Sequence, residues 1–151
     1  VETAEEMFKS TQSSLPVDVA IFSAAVADFK IKEQNKEKIK KKNYINLNLE
    51  KNIDILNYVS NHNSLRPKIV VGFAAETENI EKYAKEKLQA KKLHFIVAND
   101  VSADGSGFNT ETNEVTIFSK NGDTEKIPLL SKYTVAHKIL DRVARLIDSE
   151  I

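Results

Sequence analysis

The 151-residue chain contains no cysteine, which excludes disulfide bonds, zinc–thiolate sites and cysteine nucleophiles together. Its 22 basic and 22 acidic side chains leave no net charge, so a general affinity for nucleic acid or acidic membranes is not expected. The three histidines are far apart and lack metal-ligand spacing. No apolar run approaches the roughly 20 residues that span a bilayer, and no targeting peptide is recognisable. These absences favour a single soluble, cytoplasmic, globular domain.

Glycine is also scarce. The four glycines form neither a Gly-x-Gly-x-x-Gly motif nor a phosphate-binding P-loop. The chain opens in a predicted helix, where Thr3 and Glu6 have the spacing of a capping box. A doubly wound α/β fold normally opens with a strand and a phosphate-binding turn. We therefore expect the first strand and its turn to precede Val1.

Strand and helix patterns alternate over the first two thirds of the chain, which favours a parallel sheet with helices on its faces. Asn121-Gly122 lies between two further strand patterns and predicts a C-terminal β-hairpin. We predict strands over about 17–24, 45–49, 69–75, 93–98, 114–119 and 124–129, and helices over about 4–13, 53–61, 80–92 and 132–147. Val135, Ile139, Val143 and Ile147 should form the buried face of the last helix, and residues 29–43 and 100–113 read as loops.

Three predicted strands end in small or acidic residues. These motifs are Ala-Ala-Val-Ala-Asp-Phe at 24–29, Gly-Phe-Ala-Ala-Glu-Thr at 72–77 and Asn-Asp-Val-Ser at 99–102. A fourth motif, Lys-Ile-Lys-Lys-Lys at 38–42, follows the first. Ligands of open α/β sheets bind at the carboxyl ends of the strands, where small residues admit a ligand and lysines can hold phosphates. A lysine run can equally be a solvated surface, and Asn99-Asp100 can be simple turn chemistry.

Two lysines of the third predicted helix lie on its apolar stripe. At 100° per residue, Lys87 and Lys91 share the face of Ala84 and Leu88, whereas Lys82 does not. An ammonium group on a core-facing stripe must either extend to water or meet an anion. Both readings stay open from the sequence.

Other candidates also have two readings. Asp28 and Glu76 can be caps or loop carboxylates, or they can contact magnesium or a ribose. Phe73 can be a core residue or a platform for a nucleotide base.

The four motifs, together with Gly-Phe-Asn at 107–109, resemble in order and spacing the phosphopantothenoylcysteine synthetases, also called phosphopantothenate–cysteine ligases. The resemblance covers essentially the whole chain. It implies a Rossmann-like three-layer α/β fold, usually dimeric, often following a flavin-dependent decarboxylase in one bifunctional protein. The implied reaction joins 4′-phosphopantothenate to L-cysteine with CTP and Mg²⁺ or Mn²⁺. It passes through an acyl-cytidylate and releases pyrophosphate and then CMP.

The resemblance also implies the site residues. Lys38 matches the family's important lysine and should contact the triphosphate, and Phe73 should lie beside the base. The implied CTP-binding set is Ala24, Ala25, Asp28, Lys38, Ile53, Asp54, Ile55, Leu56, Phe73, Lys87 and Lys91. Ile53 replaces the proline that is usual in the family. The family's glycine-rich turn and Asn-containing catalytic segment have no counterpart here, so we expect a fragment that keeps most of the CTP pocket and lacks part of the catalytic apparatus.

Two other functions are compatible with parts of the sequence. A nucleic-acid-binding module could use the basic segment 36–42, although the balanced charge does not favour it. A dinucleotide-dependent oxidoreductase would need a glycine fingerprint, which could only lie upstream. We expect neither nucleic acid nor a membrane as a partner.

Overall fold

The computed structural model describes residues 1–33, 37, 46–76, 78–100 and 110–149. Within these residues the elements follow in the order α1 (Ala4–Ser14), β1 (Val19–Phe22), β2 (Phe29–Ile31), β3 (Leu49–Lys51), α2 (Ile55–Ser60), β4 (Ile69–Glu76), α3 (Ile80–Ala90), β5 (Phe95–Asp100), β6 (Thr112–Ser119), β7 (Thr124–Ser131) and α4 (Lys132–Ser149). Of the helices described, none has the length and apolar character needed to cross a membrane.

The main sheet has the strand order β1-β4-β5-β6-β7. β1, β4 and β5 are parallel, whereas β5, β6 and β7 pair antiparallel. Gly122 has a φ of 94° in the turn between β6 and β7, a conformation that favours glycine. The α/β fold with a parallel sheet and a C-terminal β-hairpin is therefore confirmed.

Helices cover both faces of this sheet. Along β4, Ile69 and Val71 pack on the side of α4, whereas Val70 and Ala74 pack on the side of α3. This alternation follows from the two-residue period of a strand. Because β4 and β5 are buried on both faces, they read in the sequence as continuous apolar runs. The result is the predicted three-layer arrangement.

The last helix departs from its predicted stripe at one end. Val135, Ile139 and Val143 are buried as expected, but Ile147 is exposed and Leu146 packs against the core. Residues four apart drift by 40° per step around a helix, so the fourth member of the series has rotated off the sheet. Leu146 lies back in line with Val135.

A separate two-stranded sheet corrects the prediction for residues 29–51. Phe29–Ile31, predicted as part of a loop, is β2 and pairs antiparallel with β3. β3 begins at Leu49, later than predicted, and Leu49 is exposed rather than half-buried. The reason is that β2 and β3 pair with each other and stand apart from the main sheet, so the alternating residues do not enter its core.

Candidate functional site

A cavity of about 420 Å³ lies where β1 ends, next to the start of α2 and the second half of α3. Residues 23, 24 and 26–28, which follow β1, form one wall. Residues 52–56, which connect β3 to α2, form another. Lys87 and Lys91 close the side towards α3. The cavity therefore lies at the carboxyl end of a parallel strand, as ligand sites in such sheets do.

Most of the residues predicted to bind CTP line this one cavity. The lining includes nine of them: Ala24, Asp28, Ile53, Asp54, Ile55, Leu56, Phe73, Lys87 and Lys91. Ala25 does not line it, although Ala24 and Val26 on either side do. Lys38 lies outside the described residues. The binding roles themselves remain predictions.

Both lysines of the apolar stripe reach polar partners from α3. Lys87 Nζ donates to the carbonyl oxygen of Phe73 at 3.2 Å. Lys91 Nζ lies 2.6 Å from Asp54 Oδ2, and the Lys91 side chain is only 17% exposed. Lys82, on another face, is exposed. The stripe lysines have therefore met acceptors within the cavity wall.

The electrostatics of the cavity couple these groups. Burial lowers the pKa of Lys87, and the nearby Lys91 ammonium lowers it further, against the opposing influence of Glu76, Asp54 and Asp28. Burial alone would raise the pKa of Asp54, but hydrogen bonds from Lys91 and from the backbone N–H of Asn57 outweigh it, so that this pKa lies below its usual value. The wall thus holds two cations close to a fixed carboxylate.

A sequence profile of the "DNA/pantothenate metabolism flavoprotein C-terminal domain" family matches residues 1–147. The chain belongs to this family. It is 43% identical over 148 residues to "Coenzyme A biosynthesis bifunctional protein CoaBC" of Bacillus subtilis. This match covers 97% of the chain and 36% of that protein. Against the protein of the same name from Haemophilus influenzae it is 41% identical over 145 residues, covering 95% and 36% respectively. The chain thus spans little more than a third of these relatives.

A solved structure gives the same result. The crystal structure of the C-terminal domain of coenzyme A biosynthesis bifunctional protein CoaBC superposes with a TM-score of 0.76 at 34% identity. The superposition covers 99% of this chain and 65% of that one. Membership of the flavoprotein C-terminal domain family does not favour the oxidoreductase or the nucleic-acid-binding module.

In this flavoprotein C-terminal domain, Asn52 joins two walls of the cavity. Its backbone N–H donates to the carbonyl oxygen of Asp28 at 2.8 Å, and its side-chain amide donates to that of Ala27, also at 2.8 Å. Asparagine often caps helices, and the sequence therefore predicts Asn52 as the N-cap of α2, but this prediction is wrong. Asp54 is the N-cap, and its carboxylate accepts from the backbone N–H of Asn57. The side chain of Asn52 acts as a hydrogen-bond donor, and an ionised aspartate at this position could not replace it.

Phe73 has a divided environment. It lines the cavity, and its carbonyl oxygen accepts from Lys87. Its side chain packs against the core cluster on the α4 side of the sheet. The ring of Phe73 thus packs as a core residue, and a role beside the nucleotide base remains a prediction.

α1 supplies a further wall of the cavity that was not predicted from the sequence. Met7 and Thr11 both line the cavity. The Thr11 hydroxyl donates to the carbonyl oxygen of Met7 at 2.8 Å, so this polar group is already used within the helix. The four-residue spacing of the two was the available signal, since it places them on one helical face.

Proposed function

We propose that this domain joins 4′-phosphopantothenate to L-cysteine at the expense of CTP, in coenzyme A biosynthesis. The observation that carries the proposal is the gathering of nine implied CTP-binding residues around one cavity of about 420 Å³. That volume lies within the range of about 300–1,000 Å³ typical of small-molecule sites. The 43% identical relative from Bacillus subtilis, a coenzyme A biosynthesis protein, also supports it.

The proposed chemistry has two steps. The pantothenate carboxylate attacks the α-phosphate of CTP and expels pyrophosphate, and the cysteine amine then attacks the acyl-cytidylate and expels CMP. The first step develops negative charge on the leaving pyrophosphate. Fixed cations near that charge stabilise the transition state. Lys87 and Lys91 line the cavity and Lys38 is implied by the resemblance, so these are the groups proposed to hold the phosphates.

The charges of the cavity wall support a requirement for Mg²⁺ or Mn²⁺. Lys87 and Lys91 are matched by the carboxylates of Asp28 and Asp54, so these four lining residues sum to no net charge. A triphosphate therefore needs further positive charge. A divalent ion, which neutralises phosphate oxygens when bound, generally takes only one or two protein carboxylates and keeps several waters. Asp28 suits this role better than Asp54, whose two oxygens already accept from Asn57 and Lys91.

A homodimer is also proposed, formed through the two-stranded sheet. Ile31 lies opposite Leu49, and both are exposed, as is Phe29 on the same face. The other face carries the Lys30–Glu50 ion pair and is polar. A two-stranded sheet is marginally stable alone, and an apolar face on it is stabilised when a second copy covers it. Sedimentation equilibrium should then give twice the monomer mass; a monomer at tens of micromolar would contradict the dimer.

The wider protein is proposed to resemble its bifunctional relatives, with a flavin-dependent decarboxylase fused to or associated with this domain. A chain of 151 residues without cysteine suits the reducing cytoplasm, the compartment we propose for it.

Thermal unfolding with nucleotide tests the substrate. A ligand at 100 times its Kd stabilises the folded state by about 2.7 kcal/mol, so saturating CTP with Mg²⁺ should raise the Tm by several degrees. ATP with Mg²⁺ at the same concentration should raise it less. An equal response to ATP, or no response to millimolar CTP, would contradict the proposal.

Turnover in the full-length protein tests Lys38. Lys38→Ala should sharply lower pyrophosphate release and leave the circular dichroism spectrum unchanged. Lys120→Ala, an exposed lysine outside the cavity lining, is the matched control. Full activity of Lys38→Ala would refute the assigned role.

A further inference from the structure

A single carboxylate connects α2 and α3, two of the helices that flank the cavity. Asp54 lies immediately before α2, and its Oδ1 accepts from the backbone N–H of Asn57 at 2.9 Å. Its Oδ2 lies 2.6 Å from Nζ of Lys91, which follows the last residue of α3. The helix cap therefore fixes the orientation of the carboxylate, and the carboxylate in turn fixes the ammonium group.

The ion pair leaves Lys91 able to bind something else. An ammonium group has three hydrogens, and a contact with one oxygen uses one of them. Lys91 and Asp54 both line the cavity, and Lys91 is mostly buried. Ordering a lysine side chain on binding costs conformational entropy, and a lysine already held in place avoids that cost.

Asp54 also separates two like charges. The ammonium groups of Lys87 and Lys91 repel each other, and Asp54 and Asp28 oppose that repulsion. Without the Asp54 charge, Lys91 would gain by swinging away from Lys87 towards water. The charge of Asp54 is not needed for the helix cap, since asparagine caps a helix about as well as aspartate.

We propose that Asp54, which the resemblance places among the CTP-binding residues, serves there as a positioning residue. Because both of its oxygens already accept from protein groups, it acts through Lys91 without contacting the nucleotide, and it holds the Lys91 ammonium where it can bind the phosphate groups of a nucleoside triphosphate. The inference rests on the proposed function, because it takes a nucleoside triphosphate as the ligand. A carboxylate beside a triphosphate would ordinarily weaken binding by repulsion, whereas here the Asp54 carboxylate is proposed to strengthen it.

The test is a double-mutant cycle with Asp54→Asn and Lys91→Met in the full-length protein. The dissociation constant of CTP with Mg²⁺ is measured by isothermal titration calorimetry. Asp54→Asn should raise that constant roughly 3- to 10-fold, the equivalent of losing one pre-ordered side chain. In the Lys91→Met background the same substitution should change it less than about 2-fold, because the residue that it positions is absent.

Two controls separate positioning from folding. Asp54→Asn keeps the helix cap but loses the ion pair with Lys91, so its Tm without nucleotide should fall and its unfolding should remain cooperative. Because the CTP titration is made well below that Tm, the affinity is measured on the folded protein. Asp18→Asn removes the carboxylate of an exposed ion pair with Lys68, outside the cavity lining, and should leave CTP affinity unchanged.

Three results would contradict the positioning role or the function on which it rests. Equal or tighter CTP binding by Asp54→Asn would overturn the positioning role while leaving the proposed function intact. An undiminished effect in the Lys91→Met background would mean that Asp54 contacts the nucleotide directly, which also overturns it. A full-length parent protein that folds and binds no CTP would refute the proposed function and the inference with it.

Discussion

The buried charge of Lys87 should lower the free energy of unfolding, and Lys87→Met should therefore raise it. Burial and the neighbouring Lys91 ammonium lower the pKa of Lys87 below its ordinary value of 10.5, which means that folding disfavours its charged form. Methionine fills a similar volume without a charge. We therefore expect Lys87→Met to be more stable than the parent by about 0.5–2 kcal/mol, the usual gain when such a site is relieved.

The same substitution should weaken nucleotide binding. A hydrogen bond to a charged group contributes about 1.5–3 kcal/mol. At 1.4 kcal/mol per factor of ten, its loss should weaken CTP binding by roughly 10- to 150-fold. Urea unfolding measures the first effect and calorimetric titration the second. Lys82→Met, on an exposed face of the same helix, is the matched control and should change neither.

The pH dependence gives a third readout. Below the folded-state pKa of Lys87 both the folded and unfolded chains hold the proton, and the full cost applies. As pH rises from that pKa towards 10.5, the folded chain releases the proton first, so stability from this group rises with pH. The gain from Lys87→Met should therefore shrink over that interval. A less stable variant would show that the buried charge of Lys87 does not destabilise the fold, and a variant that binds CTP as the parent does would show that Lys87 does not bind the nucleotide.

Two further substitutions test the packing around the cavity. A Cβ at Gly72 would lie 2.7 Å from Cδ1 of Leu93 and 3.0 Å from Cδ2 of Leu56, so Gly72→Ala should lower the free energy of unfolding by about 1–3 kcal/mol in urea; unchanged stability would show that the leucines move freely. Lys92 has a φ of 49° just beyond α3, where the left-handed conformation costs a non-glycine residue about 1 kcal/mol, so Lys92→Gly should raise the Tm and Lys92→Ala should not. An equal response of both variants would contradict the strain.

The sheet and the faces of its helices could be predicted because the burial of a strand or helix determines the pattern of apolar residues along it. β4 and β5 are continuous apolar runs since helices cover both faces. The same logic predicted the partial burial of Lys87 and Lys91 from helix angles alone. The end of α4 deviated because a four-residue repeat drifts around the helix, which exchanged Ile147 for Leu146.

The remaining features depend on contacts between distant segments, which leave no local period. Phe29–Ile31 is a strand because it pairs with residues some twenty positions later. Asn52 and Asp54 are both good caps, and the choice between them follows from the donors that Asn52 gives to Ala27 and Asp28. Motif resemblance indicated most of the cavity, but α1 carries no such motif, so Met7 was missed.

If one cavity beside β1 and α3 receives the triphosphate, CTP should perturb the amide chemical shifts of the residues around that cavity. The ¹⁵N-labelled chain is titrated with CTP and Mg²⁺, and the perturbed amides are mapped. We expect the largest shifts at Ala24, Asp28, Asp54 and Phe73, with little change in the β6–β7 hairpin. Shifts concentrated in the hairpin, or spread evenly over the chain, would contradict the claim.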